Sequence, residues 1–259
     1  MWLIGGTQES MELAKVIAHT HLPCIISVTT ESARALYPAA ANLQVYVGSL
    51  NSAEIRQFLQ QQIVAVLDAS HPYAVEISRQ VIAATQDLQI PYLRYERPML
   101  EQESRRAGEQ DRLDSFETLL SGNYLQGQRV LLTVGYKPLH LFRPWQDRST
   151  LFARILPSAI ALEAATASGF TPERLICLRP PICADLEKAL WQQWKISLVV
   201  TKASGTAGGE DTKCTVSAEL GIPIVVIDRP VIEYPQQTSD LSTALEFCRH
   251  QLNCDSATK

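Results

Sequence analysis

The sequence of 259 residues lacks several features that mark common classes of protein. Its 23 lysines and arginines are outnumbered by 27 aspartates and glutamates, which gives a net charge of −4, and no basic run is present. Nucleic-acid-binding surfaces are basic, so this balance argues against a nucleic-acid partner. The longest apolar stretches, such as 63–67, 196–200 and 222–227, fall far short of the roughly 20 residues that span a bilayer. We therefore expect no nucleic-acid partner and no membrane span.

The cysteines also lack a functional pattern. Six are present, but they form no C-x-x-C pair and have no histidine partner at the spacing of a zinc site. This usage is typical of reduced, buried or incidental thiols in the cytosol. The N-terminus has no basic and apolar signal regions, because Trp2-Leu3-Ile4 runs directly into Gly5-Gly6-Thr7. We expect a cytoplasmic protein without a bound metal.

Short β-branched runs alternate with longer segments of helical period along the chain, which is typical of α/β proteins with parallel sheets. The predicted strands are 2–4, 24–29, 43–47, 64–68 and 92–95, then 130–134, 151–155, 175–178, 198–201 and 224–227. The predicted helices lie near 9–19, 52–61 and 73–88, then 139–145, 158–168, 184–194 and 211–220. The polar segment 101–112 has no apolar period. We predict two similar halves, 1–100 and 113–259, joined by this connection.

Ligands of such folds bind at the carboxyl ends of the strands. The first strand ends in Gly5-Gly6-Thr7 before a helix. Glycines let backbone N–H groups approach a phosphate, and the helix N-terminus adds partial positive charge. The turn is only a truncated form of G-x-G-x-x-G. A nucleotide site and a tight turn capped by Thr7 or Ser10 are therefore equally open.

The second strand ends in a segment rich in hydroxyl groups. In a dinucleotide-binding fold the adenosine ribose lies here, where hydroxyls and arginine suit a 2′-phosphate and an acid suits a free 2′-hydroxyl. Thr30, Ser32 and Arg34 favour NADP, whereas Glu31 keeps NAD open. A capped helix with a solvated arginine is the alternative.

Two further strand ends in the first half carry polar side chains. Asp68, Ser70, His71 and Tyr73 follow the fourth strand, where Asp68 could order the loop and His71 could donate a proton or a hydrogen bond. A helix cap at Asp68 or Ser70 is the alternative. Arg94 and Arg97 lie at the end of the fifth strand and suit carboxylates, although pairing of Arg97 with Glu96 or another acid is equally open.

In the second half, the strand 198–201 opens into a loop with Lys202, Ser204, three glycines and Lys213. Glycines free the backbone to wrap an anion, and the lysines supply charge. The loop does not match G-x-x-x-x-G-K-[ST], so ATP chemistry is not indicated. A flexible surface loop is the alternative.

Taken in order, these segments resemble the precorrin-6A or cobalt-precorrin-6A reductase family. The resemblance is carried by Gly5–Glu9, Asp68–Ala74, Arg94–Pro98, Ala153–Pro157, Thr201–Lys213, Leu220–Pro223 and Arg229–Pro230. It spans nearly the whole chain. It implies reduction of one double bond of precorrin-6A, or its cobalt form, by hydride from NADPH to the precorrin-6B level of cobalamin biosynthesis. The implied fold has two Rossmann-like parallel-sheet domains with the active site between them.

The resemblance also implies roles for individual residues. The cofactor-binding residues would be Gly5, Gly6, Thr7, Glu9, Thr30, Ser32, Asp68, Ser204, Gly205, Gly208 and Lys213. The catalytic candidates are His71 and Tyr73, with water as a third source of the proton. Because the tetrapyrrole substrate carries carboxylate arms, the substrate-binding candidates are the basic residues Arg94, Arg97, Lys137, Arg154 and Lys202. Transient contact with neighbouring pathway enzymes is compatible with this interpretation.

Two other functions stay open at this point. One is another NADP-dependent oxidoreductase, because a fold does not fix a substrate. The other is a non-catalytic nucleotide-binding sensor that uses the same glycine turns. Whether strands exchange between the halves, and whether the substrate contains cobalt, is not decided by the sequence.

Overall fold

The structure, a computed structural model, describes residues 1–20, 22–61, 63–97 and 110–256, without the side chains of 252–256. The chain forms two compact units: Met1–Pro98 with Val231–Lys259, and Met99–Pro230. Each unit is built around one parallel sheet. No helix among the described residues combines the length and apolar composition of a bilayer-spanning segment.

The strands are β1 (Trp2–Ile4), β2 (Cys24–Val28), β3 (Leu43–Val47), β4 (Val66–Asp68), β5 (Tyr92–Tyr95), β6 (Gln110–Leu113), β7 (Arg129–Leu132), β8 (Thr150–Ile155), β9 (Leu175–Cys177), β10 (Leu198–Lys202), β11 (Ile224–Ile227) and β12 (Gln237–Thr238). The helices are α1 (Gln8–Thr20), α2 (Glu31–Arg34), α3 (Ser52–Leu59), α4 (Val75–Asp87), α5 (Phe116–Ser121), α6 (Ala159–Ala167), α7 (Ala184–Gln193), α8 (Glu210–Leu220) and α9 (Leu241–Ser256). Short 3₁₀ helices span Leu139–Trp145, Pro172–Arg174 and Thr206–Gly208.

The two sheets share one strand order. The first sheet runs β3-β2-β1-β4-β5-β12, and the second runs β9-β8-β7-β10-β11-β6. All neighbouring strands are parallel. The order therefore reverses between β1 and β4, and again between β7 and β10. Ligand sites of open α/β sheets lie at the carboxyl edge beside such reversals.

The sixth strand of each sheet does not directly follow the fifth strand along the chain. β6 follows β5 in sequence but pairs with β11, with Leu113 opposite Ile227. β12 follows β11 but pairs with β5, with Gln237 opposite Arg94. The strand exchange that the sequence left undecided is therefore present.

This exchange corrects the predicted boundaries. Residues 231–259, predicted to be part of the second half, belong to the first unit. The reason is packing, because Ala244 and Cys248 of α9 are fully buried in the same core as Leu13 and Ile17 of α1. Of the predicted connection 101–112, residues 110–112 form part of β6, and 101–109 lie outside the described residues.

Each sheet is covered on both faces. In β1, Leu3 packs into the core that contains α1 and α9, whereas Trp2 and Ile4 pack into the core that contains α3 and α4. In β7, Val130 and Leu132 contribute to one core and the residue between them to the other. Successive side chains of a strand point to opposite faces of the sheet. Because both faces are covered, apolar residues are favoured at every position, which explains the continuous apolar runs. The predicted α/β class and parallel sheets are confirmed.

Most predicted elements are present with bounds within a few residues. The segment 139–145 is a 3₁₀ helix with Pro144 inside it, where a helix was predicted. The elements β6, β12, α5 and α9 were not predicted, and α2 is the capped helix that the sequence left open as an alternative after the second strand.

Candidate active site

The turn after β1 is shaped by Tyr37. A Cβ atom at Gly5 would lie 2.4 Å from the Tyr37 hydroxyl oxygen, so this position has no room for a side chain. The N–H of Gly6, which has a φ of +100°, donates to the same hydroxyl at 2.7 Å. The Tyr37 hydroxyl also lies 2.6 Å from Ser10 Oγ. Tyr37, which the sequence did not single out, therefore fixes the glycine turn.

Thr7 and Ser10 cap α1 reciprocally. Thr7 Oγ1 accepts from the Ser10 N–H at 3.1 Å, and Ser10 Oγ accepts from the Thr7 N–H at 3.0 Å. Thr7 Oγ1 also donates to the Ala69 carbonyl at 2.8 Å. The predicted cofactor contact through the Thr7 hydroxyl thus competes with these structural bonds. The first-turn N–H groups of Gln8 and Glu9, which an α-helix cannot bond internally, point out of the helix end.

The segment after β2 is exposed. Thr30 caps α2 by accepting from the Ala33 N–H at 3.2 Å, and its Oγ1 lies 3.1 Å from Ser32 Oγ. Arg34 is 3.7 Å from Glu31, and 57% of its side chain is exposed. An exposed pair this long contributes little, so Arg34 can turn to an anion at low cost.

Asp68, at the end of β4, is fully buried and accepts four hydrogen bonds. Its Oδ1 accepts from the Ser70 N–H and from Arg94 Nη1, both at 2.9 Å. Its Oδ2 accepts from Ser78 Oγ at 2.7 Å and from the Tyr92 hydroxyl at 2.6 Å. Four donors satisfy the oxygens of a carboxylate. Asp68 therefore orders the loop, and the predicted direct contact with the cofactor has no support in this geometry.

Two predicted substrate arginines of the first unit have carboxylate partners. Arg94 is 1% exposed and donates to Asp68 and, through Nε, to Glu96 at 2.9 Å. Burial opposes its charge, but the two carboxylates outweigh that cost and hold the pKa of Arg94 above its ordinary value. Arg97 Nη2 donates to Glu9 at 2.8 Å, and both side chains are largely buried. The structural pairing that the sequence left open for Arg97 is present, with Glu9 as the partner. Arg94 is paired as well, and its burial argues against contact with the substrate.

His71 and Tyr73 lie together after β4. His71 Nδ1 accepts from the Tyr73 N–H at 3.2 Å, and their ring centroids are 5.8 Å apart. Both side chains are partly exposed. Since Nδ1 is an acceptor, the hydrogen bonding assigns the ring proton to Nε2.

In the second unit, the loop after β10 is braced from within. Lys213 is 2% exposed, and its Nζ donates to the Gly208 carbonyl at 2.8 Å. A Cβ atom at Gly208 would lie 2.0 Å from Ser204 Oγ, so the loop needs glycine there. The Gly205 N–H donates to the buried carboxylate of Glu210 at 2.8 Å. The four predicted cofactor residues Ser204, Gly205, Gly208 and Lys213 are thus brought together, with Lys213 inside the loop.

The remaining basic candidates differ from one another. Arg154 Nη1 donates to the buried carboxylate of Glu187 at 2.5 Å, which again argues for a structural role. Lys202, at the end of β10, and Lys137, in the turn after β7, lie close enough to repel. Burial and this repulsion lower the pKa of Lys202 to about 8. A concentration of like charge at a strand reversal favours an anionic ligand.

The described side chains include no group of three or more His, Cys, Asp or Glu residues placed to hold a metal ion. Sequence reasoning missed several residues that organise the site, namely Tyr37, Ser78, Tyr92 and Glu210. Tyr37 and Tyr92 act through partners 31 and 24 positions away along the chain, so no local sequence pattern indicates their roles.

The shared strand order and the glycine turn at a strand reversal define a Rossmann-type α/β protein with a turn suited to the phosphates of a dinucleotide. The chain belongs to the precorrin-6x reductase family, because the family model described as "Precorrin-6x reductase CbiJ/CobK" matches residues 1–249. The family that the sequence motifs indicated is thereby confirmed. Proteins of this family are oxidoreductases of cobalamin biosynthesis that reduce a carbon–carbon double bond with a nicotinamide cofactor.

Relatives agree with this assignment, and a solved structure has a similar fold. The chain is 46% identical over 256 residues to a cobalt-precorrin-6A reductase of Synechocystis sp., covering 97% of each chain. It is 30% identical to a cobalt-precorrin-6A reductase of Priestia megaterium, covering 90% of this chain and 91% of the relative. The solved structure of "CobK precorrin-6A reductase" is similar at a TM-score of 0.76, with 22% identity and 96% of each chain covered. This structural match supports the fold.

Proposed function

We propose that the protein uses NADPH to reduce one carbon–carbon double bond of precorrin-6A or cobalt-precorrin-6A, giving the precorrin-6B level. The proposal rests on the arrangement of residues at the carboxyl edge of the first sheet. There the glycine turn after β1, the open N-terminus of α1 and the exposed hydroxyl segment after β2 adjoin along neighbouring strands. This is the arrangement in which a Rossmann fold binds a dinucleotide.

The residues present fit a dinucleotide. A Cβ atom at Gly6 would meet no atom within 4 Å, so the space beside the turn is open to the pyrophosphate, and the N–H groups of Gln8 and Glu9 supply the partial positive charge of the helix. The Tyr37 hydroxyl already takes the Gly6 N–H. We therefore assign the pyrophosphate to the start of α1 and the role of Gly6 to backbone shape.

The preference for NADPH over NADH rests on three side chains. Thr30, Ser32 and Arg34 lie on the segment after β2, where the adenosine ribose of a dinucleotide is bound in such folds. Hydroxyls and a guanidinium suit the 2′-phosphate of NADPH. Glu31 is the opposing charge, and its long contact with Arg34 leaves Arg34 able to bind the phosphate.

The nicotinamide cofactor supplies the hydride. The side chains of the protein bind and orient the cofactor and the macrocycle. His71, with its ring proton on Nε2, offers a hydrogen bond to the macrocycle. The candidates for the proton that completes the reduction are His71, the Tyr73 hydroxyl and water. Lys137 and Lys202 bind carboxylate arms of the macrocycle through charge-assisted hydrogen bonds.

The test is anaerobic incubation of the full chain with NADPH and either precorrin-6A or its cobalt form. We expect loss of NADPH absorbance and a product heavier by two hydrogens. The two substrates, compared at equal concentration, show which form is preferred. NADPH binding without turnover of either form would favour a nucleotide sensor, turnover of another substrate class would favour a different oxidoreductase, and absence of NADPH binding would refute the proposal.

A further inference from the structure

Two tyrosines with no assigned role lie in the buried network behind the His71 turn. Tyr92 belongs to β5, and Tyr234 belongs to the segment that enters the first sheet by strand exchange. We propose that Tyr92 and Tyr234 are positioning residues, which fix the Asp68–Arg94 pair and through it the turn that presents His71 to the substrate. The inference rests on the proposed function, because that function makes the turn part of the active site.

The link from the network to the turn is direct. Asp68 Oδ1 accepts from the Ser70 backbone N–H at 2.9 Å, and Arg94 Nη1 donates to both Asp68 Oδ1 and Ser70 Oγ, at 2.9 and 3.0 Å. Ser70 is therefore held through its backbone and its side chain by one buried ion pair. Since His71 follows immediately, any rotation of the Asp68 carboxylate or the guanidinium displaces the start of the turn.

Tyr92 sets the orientation of the carboxylate. Its hydroxyl donates to Asp68 Oδ2 at 2.6 Å, and its ring is 4% exposed in the core beneath α4. Ser78 of α4 donates to the same oxygen at 2.7 Å. Two donors on Oδ2 oblige Oδ1 to face Ser70 and Arg94. A buried carboxylate deprived of a donor turns toward the donors that remain.

Tyr234 holds the other partner of the pair. Its ring lies 5.3 Å from Arg94 Cζ, within the range of a cation–π interaction. The same segment pairs with β5 through the backbone, because the Arg94 N–H donates to the Gln236 carbonyl at 2.9 Å. The exchanged segment thus supplies a side chain to the first unit's site as well as a strand to its sheet.

The two tyrosines act through other residues. The Tyr92 hydroxyl is bonded to a fully buried carboxylate, so it cannot contact a ligand. Tyr234 stacks on an arginine that is itself 1% exposed. Their effect on the reaction is therefore an effect on the geometry of the turn. Misplacement of a reacting group by about 1 Å can cost roughly 100-fold in rate.

The experiment compares Tyr92→Phe, Tyr234→Leu and Tyr234→Phe in the full chain, with Tyr46→Phe as the control. Tyr46 is exposed in β3 and packs on Phe58, away from the network. We expect Tyr92→Phe and Tyr234→Leu to lower kcat roughly 10-fold while the Kd for NADPH stays within about two-fold. Tyr234→Phe keeps the ring over Arg94 and should recover most of the activity. Tyr46→Phe should match the wild type.

A readout without turnover separates this inference from the proposed function. Hydrogen exchange of the Ser70 and Tyr73 amides should become roughly 10-fold faster in Tyr92→Phe and Tyr234→Leu. If Tyr92→Phe does not fold, Ser78→Ala removes the other donor to Oδ2 and carries the same expectation. A lower Tm with unchanged kcat and unchanged exchange would overturn the positioning role. Unchanged exchange overturns it even if the wild type is inactive, whereas an inactive wild type with accelerated exchange in the variants would refute only the proposed function.

Discussion

The Nζ atom of Lys213 donates to the Gly208 carbonyl at 2.8 Å, inside the loop that the sequence predicted to bind the cofactor with this lysine. The side chain is 2% exposed. Burial, reinforced by Arg154, lowers the pKa of Lys213 to about 8, even though Glu187 and Glu210 act in the opposite direction. Lys213 therefore stabilises the loop Ser204–Gly209 through its hydrogen bond to the backbone.

The lowered pKa of Lys213 predicts how stability changes with pH. Between about 8 and the ordinary value of 10.5, the unfolded chain binds a proton at this lysine that the native chain does not. Stability rises with pH wherever the unfolded state binds more protons. The unfavourable contribution of Lys213 is thus complete below pH 8 and is relieved as the pH rises toward 10.5.

Urea unfolding of the wild type and of Lys213→Met over that range measures this contribution. We expect the wild type to gain on the order of 2–3 kcal/mol relative to Lys213→Met as the pH rises from about 8 to 10.5. Using the difference cancels the titration of other groups. Parallel stability curves for the two proteins would show that Lys213 has an ordinary pKa.

A second pH dependence concerns substrate binding. Burial and the charge of Lys137 lower the pKa of Lys202 to about 8, so Lys202 loses its proton at mildly alkaline pH. If the protonated lysine binds a carboxylate arm, kcat/KM for the macrocycle should fall above about pH 8, because this ratio reports the free enzyme. Lys137→Met removes the repulsion and should move the fall to higher pH.

Lys202→Arg tests the same assignment, because a guanidinium does not titrate in this range. We expect its kcat/KM to lose the alkaline fall. Lys188→Arg is the matched control, since Lys188 lies on α7 of the same unit and forms an ion pair with Glu219. A fall above about pH 8 that persists in Lys202→Arg would assign the titration to another group.

The positions of most strands could be predicted from the sequence, but the pairing of the strands in the sheets could not. β1, β3, β5 and β11 have the predicted bounds, because short runs rich in β-branched, aromatic and leucine residues, flanked by turn residues, favour a strand. β12 consists of Gln237 and Thr238, which have no apolar pattern, and it joins the sheet through backbone bonds to β5. Hydrophobic periodicity could therefore not predict the exchange of β6 and β12.

In the candidate site, too, the positions of polar residues could be predicted, whereas their contacts could not. Which strand ends carry polar residues could be predicted, because those residues follow each strand directly. What each arginine contacts could not: Arg97 pairs with Glu9, 88 positions away, and Arg154 with Glu187, 33 positions away. Such pairs depend on tertiary packing. Arg94, Arg97 and Arg154 thus have acidic partners, and Lys137 and Lys202 carry the proposal of substrate binding.

The choice of cofactor should depend on Arg34. Arg34→Ala removes the guanidinium proposed to bind the 2′-phosphate, so we expect the Kd for NADPH to rise roughly 10-fold, with the Kd for NADH unchanged. Fluorescence titration with each cofactor measures both constants. Arg56→Ala is the control, because Arg56 is a partly exposed arginine of the same unit that pairs with Asp87. Equal losses for NADPH and NADH would place the arginine away from the ribose.

The glycine turn offers a test of its shape by paired substitutions. Gly5→Ala places a Cβ atom 2.4 Å from the Tyr37 hydroxyl oxygen, inside a buried site where the ring has little room to move. Overpacking of this kind costs about 1–3 kcal/mol. We expect Gly5→Ala to lower the free energy of unfolding by that amount and to weaken NADPH binding, because the displaced turn adjoins α1.

Tyr37→Phe removes the oxygen that the new Cβ would meet, at the cost of the bonds to Gly6 and Ser10. If the clash is the cause, Gly5→Ala combined with Tyr37→Phe should be less destabilised than the sum of the two single variants, as measured by a double-mutant cycle in urea. Tyr37→Phe alone reports the lost hydrogen bonds. Gly127→Ala reports backbone strain without a clash, because Gly127 has a φ of +70° and a Cβ atom there would meet no atom within 4 Å. Strict additivity of Gly5→Ala and Tyr37→Phe would mean that the hydroxyl does not enforce glycine at position 5.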